Sequence, residues 1–196
     1  MKVDFNEGQL YVNKTGKKLA LTFDDGPAME TAAVLDILKR EKVVATFFVI
    51  GKNIAGNEEL LQRMKAEGHS IGNHSFNHGF NFDWQSATNM QRELEATNAA
   101  IEQATGAQVT LFRPPYGVTN PNLGKAIKNT GMKSIGWNLR SMDTVAKDPQ
   151  KLQRKILSAL KPACIILLHD RCPITVNILP TLIQEIKKRG YEFATL

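Results

Sequence analysis

Leu19-Ala20-Leu21-Thr22-Phe23-Asp24-Asp25-Gly26-Pro27 is an apolar run that ends in two adjacent carboxylates and a Gly-Pro turn. The run reads as a buried strand over 18–23, and Gly26-Pro27 ends it. Neighbouring carboxylates at the tip of a buried strand repel one another and resist desolvation. They are tolerated where a cation compensates, either a metal or an arginine.

Outward from this strand, apolar runs and amphipathic segments alternate. Further strands are expected over 43–50, 69–73, 109–112, 132–137, 163–168 and 191–195. Helices are expected over 31–42, 58–67, 85–105, 122–129, 149–160 and 176–189, with Gly68, Gly106, Gly131 and Gly190 as stop signals and Pro149 at a tolerated first position. Pro180 then falls in an early turn of the last helix or kinks it. Strands alternating with helices argue for a parallel α/β fold. A chain of 196 residues is short for a complete eight-fold barrel, which typically takes about 250. A reduced, irregular barrel of about seven strands fits better, with an open doubly wound sheet as the competitor. Residues 1–17 form an N-terminal extension, and 18–196 form a single domain.

The net charge of +6 favours anionic partners. The basic residues are dispersed, however, and no dense run is interleaved with aromatics, so they read as a solvated surface and no nucleic-acid partner is expected. No apolar stretch approaches about 18 residues, so no membrane span is expected. Met1–Glu7 lacks the apolar core of a signal peptide, which leaves a cytosolic chain or one whose export segment is absent from this sequence. Cys164 and Cys172 form no CxxC pair, which excludes a cysteine zinc site. Cys164 reads as a core residue and Cys172 as a free thiol on a loop; a disulfide between them has no support. The chain is expected to act as a monomer.

The unusual polar residues follow the strands. Asp24 and Asp25 follow the first, His74 and His78 the third, Arg113 the fourth, Asp143 the fifth, and His169 with Asp170 the sixth. In parallel α/β folds the C-terminal strand ends form one face, where ligands bind. His74 and His78, one helical turn apart, suit a divalent metal with a carboxylate as third ligand; Ser75 where a protease motif has Glu excludes that motif. Arg113 before two prolines is held extended and could pair with Asp24 or bind an anion. The Tyr116 backbone N–H could face a developing oxyanion. His169, at the edge of an apolar wall, would be kept protonated by a neighbouring carboxylate, Asp143 or Asp170. No P-loop and no GxGxxG run is present.

Four segments, in order, resemble the polysaccharide deacetylases of the NodB-homology class (carbohydrate esterase family four): Thr22-Phe23-Asp24-Asp25-Gly26-Pro27, His74-Ser75-Phe76-Asn77-His78, Arg113-Pro114-Pro115-Tyr116-Gly117 and Leu167-Leu168-His169-Asp170. The likeness runs from about Lys18 to Leu196. It implies a distorted (β/α) barrel that removes N-acetyl groups from N-acetylglucosamine-containing glycans, peptidoglycan or chitin-type, with O-deacetylation of acetylxylan or a non-catalytic carbohydrate-binding role as alternatives. It implies Asp24 as base oriented by Arg113, and His169 as acid paired with Asp143. Asp25, His74 and His78 would hold one divalent metal, zinc or else cobalt, nickel or manganese. Tyr116, Leu167, Pro114 and Trp137 would meet the substrate. It also implies a secreted or cell-envelope location. The chain departs from the family pattern at Arg140, where an aspartate is usual, and at Thr144, where a tryptophan is usual. These changes fall on the groove wall that selects substrate.

Overall fold

The structure, a computed structural model, describes residues 17–196. Residues 1–16 of the expected extension lie outside the described residues. Among the described residues, eight strands and six α-helices follow one another: β1 (Lys18–Asp24), α1 (Thr31–Glu41), β2 (Thr46–Val49), α2 (Glu58–Ala66), β3 (Ser70–Asn73), α3 (Ala87–Thr105), β4 (Leu111–Phe112), α4 (Pro121–Thr130), β5 (Lys133–Ser134), β6 (Leu139–Arg140), α5 (Pro149–Ser158), β7 (Cys164–His169), α6 (Pro173–Lys188) and β8 (Glu192–Phe193). Every strand pair is parallel.

The sheet runs β5-β4-β3-β2-β1-β7-β6. Its two edge strands are therefore neighbours in sequence. A flat sheet of this width would hold its edges roughly 29 Å apart, whereas the chain from Ser134 to Leu139 reaches at most about 18 Å. The sheet must curl, which makes the fold a distorted, incompletely closed barrel rather than an open doubly wound sheet. β8 pairs with Lys18 and Leu19, while β2 pairs with Thr22–Asp24. The two share one edge of β1, because β7 occupies the other from Leu19 to Asp24.

Both faces of β1 are covered, and its side chains alternate between two environments. Leu19, Leu21 and Phe23 join the core that packs against α1 and α6, with Val34, Leu38, Ile178 and Leu182. Ala20, Thr22 and Asp24 face the other way, in register with Ile165, Leu167 and His169 of β7. The same pleat that hides the leucines thus carries Asp24 and His169 to one strand end.

Each expected segment overlaps its element, with shifted bounds; β1, α4, β7 and α6 run past the expected limits. β2 starts three residues later than the apolar run because the preceding donors bond elsewhere: Val43 N–H to Leu38 O, and Ala45 N–H to His69 Nδ1. The run over 132–137 forms a strand only at Lys133–Ser134, after which the chain crosses to the far edge and makes β6, an eighth strand that periodicity did not reveal. α6 begins at Pro173 rather than at 176, with proline at its first position and Pro180 inside it. Helix starts are capped by Ser86, Asn120 and Asp148 side chains, and α3 and α4 close on left-handed Gly106 and Gly131. Both cysteines are free and buried.

Candidate active site

The strand ends build a cleft of about 490 Å³. Its floor and walls include Asp24, Asp25, His74, His78, Pro114, Tyr116, Trp137, Leu167 and His169. Arg113 and Asp143 stand directly behind it, bonded to Asp24 and His169. All eleven residues proposed from sequence therefore meet at one place.

Asp24 and Asp25 diverge at the backbone. Asp24 keeps strand geometry, whereas Asp25 turns to φ 76°, a left-handed value that side-chain-bearing residues rarely adopt. The two carboxylates consequently face different cations. Asp24 Oδ1 accepts from Arg113 Nη1 at 2.7 Å. Arg113 is wholly buried. It also donates to Thr22 Oγ1 (2.7 Å), Ile135 O (3.3 Å) and Gly136 O (2.9 Å), and lies 4.1 Å from the Phe48 ring centre. With four acceptors and a ring fixing it, the guanidinium holds Asp24 in one orientation and leaves Oδ2 toward the cleft, 3.7 Å from His74 Nε2.

Asp25 Oδ1 stands 3.6 Å from His74 Nε2 and 3.5 Å from His78 Nε2. One ligand atom from each of these three residues can be chosen so that all lie within 4.8 Å of one another. The donor chemistry fits a divalent cation. His74 Nδ1–H donates to Arg113 O at 2.7 Å, which orients the ring with Nε2 toward Asp25. Burial, followed by the neighbouring His74, pushes the His78 pKa down and favours its neutral, ligating form. Burial alone would raise Asp25, but bonds and charge from His74 and the bond from Arg171 outweigh it, so its carboxyl is held below the usual range. The histidine pair does not converge through a helical turn, as the spacing suggested. Residues 74–78 are irregular, and left-handed Ser75 (φ 63°) and His78 (φ 51°) bend the loop back so that the two rings lie 4.7 Å apart.

His169 faces Asp24 across the sheet, in register at adjacent strand ends. Its Nδ1–H donates to Asp143 Oδ1 at 2.8 Å. Asp143 is the buried acceptor of a dense set of donors: Ser141 Oγ and Thr144 N on Oδ1, His169 N and Thr175 Oγ1 on Oδ2. Burial opposes charging of either partner, yet the bond and charge between them prevail: His169 is raised and Asp143 lowered from their ordinary values. Of the two carboxylates that sequence left open as the partner of His169, Asp143 takes the role. Asp170 turns away, accepts from Thr31 Oγ1 at 2.6 Å and is pushed up to about 7 by burial.

Tyr116 sits at φ 57° in the Pro115–Gly117 turn, and its N–H donates to no described residue. Its ring packs 4.8 Å from His78 and 5.6 Å from Phe80. A Cβ at Gly117 would meet Trp137 at 2.5 Å, so glycine is required for the turn to pass that ring. Thr144, the threonine at the departure noted in the sequence, lines the cleft, as does Arg140.

Sequence reasoning missed Lys52, Asn53, Phe80 and Arg171, all of which line the cleft. Arg171 Nε donates to Asp25 Oδ2 at 2.7 Å, and Asn53 Nδ2 to Asp25 O at 3.1 Å. Phe80 is 91% exposed and stacks on Tyr116 at 10° between planes. Position was the available signal for Arg171, which directly follows His169-Asp170; nothing in the sequence marks the others. Among the described residues, no helix is long and apolar enough to cross a membrane.

Comparison with known proteins gives concordant results. The family model described as polysaccharide deacetylase matches residues 11–135. The chain is 37% identical over 184 residues to the peptidoglycan-N-acetylglucosamine deacetylase PgdA of Listeria monocytogenes, covering 93% of this chain and 39% of that protein. This chain thus spans well under half of that relative's length. It is 38% identical over 163 residues to a chitooligosaccharide deacetylase of Rhizobium leguminosarum, covering 81% of this chain and 71% of the relative. Among solved structures, the Xyl-CE4 domain of a multidomain xylanase from the hindgut metagenome of Trinervitermes trinervoides superposes with a TM-score of 0.86 at 37% identity, covering 92% of this chain and 88% of the other.

Proposed function

This chain belongs to the polysaccharide deacetylase family, and from that premise we propose that it is a metal-dependent hydrolase that removes N-acetyl groups from N-acetylglucosamine-containing glycans, of peptidoglycan or chitin type. The observation that carries the reading is the division of labour across one cleft. Asp24 is held by Arg113 on one side, and His169 is held by Asp143 on the other, with Asp25, His74 and His78 grouped beside them. The domain that does this is taken as 18–196.

Asp25, His74 and His78 are assigned as the ligands of one divalent cation, with zinc as the first choice and cobalt, nickel or manganese as alternatives for such a donor set. A cation held there supplies Lewis-acid polarisation of an acetyl carbonyl and acidifies a water. Asp24, with one oxygen fixed by Arg113 and the other toward the cleft, accepts a proton from the attacking water. The Tyr116 N–H is the donor for the oxyanion that develops on the acetyl oxygen. His169 donates its Nδ1–H as a hydrogen bond to Asp143, so Nε2–H is the proton given to the departing amine. That acid is needed because an amide anion is a very poor leaving group. Leu167 is assigned to meet the acetyl methyl, and Pro114, Trp137 and Tyr116 the sugar; all four line the cleft. No covalent intermediate with the chain is required.

A second reading, removal of O-acetyl groups from acetylated xylan, is favoured by the likeness to a domain of a multidomain xylanase. The two share the site, and an ester asks less of His169. A non-catalytic binding role is disfavoured by the intact base, acid and ligand set. We further infer action at the cell envelope or outside the cell, in keeping with the peptidoglycan named for a relative. The test is a panel of chito-oligosaccharides, peptidoglycan strands and acetylated xylan, with acetate quantified. Acetate from the amides supports the first reading and acetate from xylan alone the second. Acetate from none, with metal bound, contradicts both.

A further inference from the structure

We propose that Arg140 makes this cleft select glycans bearing a carboxylate on, or next to, the sugar that carries the reacting acetyl group. The inference rests on the deacetylase reading and sharpens its substrate class.

Three cationic side chains line the cleft besides the proposed machinery: Lys52, Arg140 and Arg171. The acidic side chains among its lining residues are Asp24 and Asp25. Both are already engaged, Asp24 by Arg113 and Asp25 by Arg171. Lys52 Nζ donates to the backbone carbonyl of Asn77 at 2.9 Å, so its charge is not neutralised by a carboxylate. Arg140 makes no side-chain hydrogen bond and no ion pair with any described residue, and it is exposed. An unpaired guanidinium at a cleft wall is a binding group without a ligand inside the chain.

Its position fixes what it meets. Arg140 is the last residue of β6, in register with Leu167 on β7. Leu167 lines the cleft, and His169 lies two residues further along the same strand. Arg140 therefore stands beside Leu167 on the β7 side of the cleft, next to the strand that ends in His169, where it is exposed and lines the cleft. A guanidinium presents parallel N–H donors that match the two oxygens of a carboxylate. The uncompensated charge of Arg140 and Lys52, on a chain of net charge +6, also draws an anionic chain toward the cleft. Two glycan chemistries offer such a carboxylate, a lactyl ether on an amino sugar and a uronic acid.

The experiment compares kcat/KM for acetate release from three oligomers of equal length. These are stem-peptide-free peptidoglycan strands, hyaluronan-type oligomers and neutral chito-oligosaccharides, each with wild type, Arg140→Gln and Arg140→Lys. Dissociation constants for the same oligomers are measured by calorimetry with Asp24→Asn and with Asp24→Asn/Arg140→Gln, which needs no turnover. The charged oligomers are expected to be preferred. That preference should fall about fivefold in Arg140→Gln at low ionic strength, chiefly through KM, with partial retention in Arg140→Lys. It should also shrink as salt is raised. Preference for one charged oligomer over the other identifies which carboxylate is met. Equal handling of charged and neutral oligomers, or a preference that Arg140→Gln leaves intact, overturns the proposal and leaves the deacetylase reading standing. Acetate from none of them, with metal bound, overturns the reading on which it rests.

Discussion

Replacing Asp143 by asparagine keeps the shape of the side chain and removes its charge. The carboxylate accepts five hydrogen bonds, three on Oδ1 and two on Oδ2. An amide has one acceptor oxygen and one donor NH2. Placing the oxygen at Oδ1 preserves the bonds from His169 Nδ1, Ser141 and Thr144. The NH2 then faces His169 N–H and Thr175 Oγ1; the hydroxyl can rotate to accept, but the backbone N–H cannot. One charge-assisted bond is lost outright and the ion pair with His169 disappears, a cost of about 2–4 kcal/mol when His169 is charged. The pH dependence has a definite sign. His169 has a raised folded pKa, so its pairing stabilises the fold fully below the unfolded value of about 6.5 and is lost as pH rises through the folded value. Asp143 has a lowered folded pKa, so its contribution is present above its unfolded value and is lost in acid. Urea denaturation should therefore show a larger loss in Asp143→Asn at pH 5.5 than at pH 8.5. In the variant, burial is opposed only by the weaker attraction of Asp24 and Asp25, so the His169 pKa falls, and acetate release at neutral pH should fall about 10²–10⁴-fold. Equal destabilisation at both pH values would refute the pairing as the source of His169's charge.

Three further substitutions probe other parts of the account. Asp24→Asn should bind metal as wild type does while releasing acetate about 10²–10⁴-fold more slowly; metal analysis and acetate assay on one preparation check this. Asp170→Asn should match the wild type in stability near pH 4 and exceed it near pH 8. The buried Asp170, pushed up to about 7 with Oδ1 unpartnered, must otherwise ionise without a cation, and denaturation curves at the two pH values test it. Phe80→Ala should raise KM for glycan oligomers about three- to tenfold with little change in kcat, since it deletes an exposed ring stacked on Tyr116 at the cleft wall; a fall in kcat with KM unchanged would contradict that role.

The strand-end chemistry was legible because parallel α/β order forces distant residues together. Once 18–23 and 163–168 read as buried strands, Asp24 and His169 had to share an edge, and the register confirms it. What stayed hidden depends on local backbone or on single exposed side chains. The left-handed turns at Asp25, Ser75, His78 and Tyr116 leave no periodic trace, so the four-residue spacing of His74 and His78 reads as a helical turn that the chain does not make. β6 is two residues long and is defined by its partner rather than by its composition. Arg171, Lys52 and Phe80 look like ordinary surface residues until the loops that carry them are folded over the cleft.

The central claim is that Asp25, His74 and His78 bind a catalytic cation while Asp24 remains free as the base. Its most direct test is acetate release from N-acetylglucosamine oligomers by chelator-stripped protein as zinc or cobalt is returned in increments. The account predicts no release without metal, a rate that saturates at one equivalent per chain, and an Asp24→Asn variant that takes up the same equivalent with almost no acetate. Full activity in the stripped protein, or in Asp24→Asn, would contradict it.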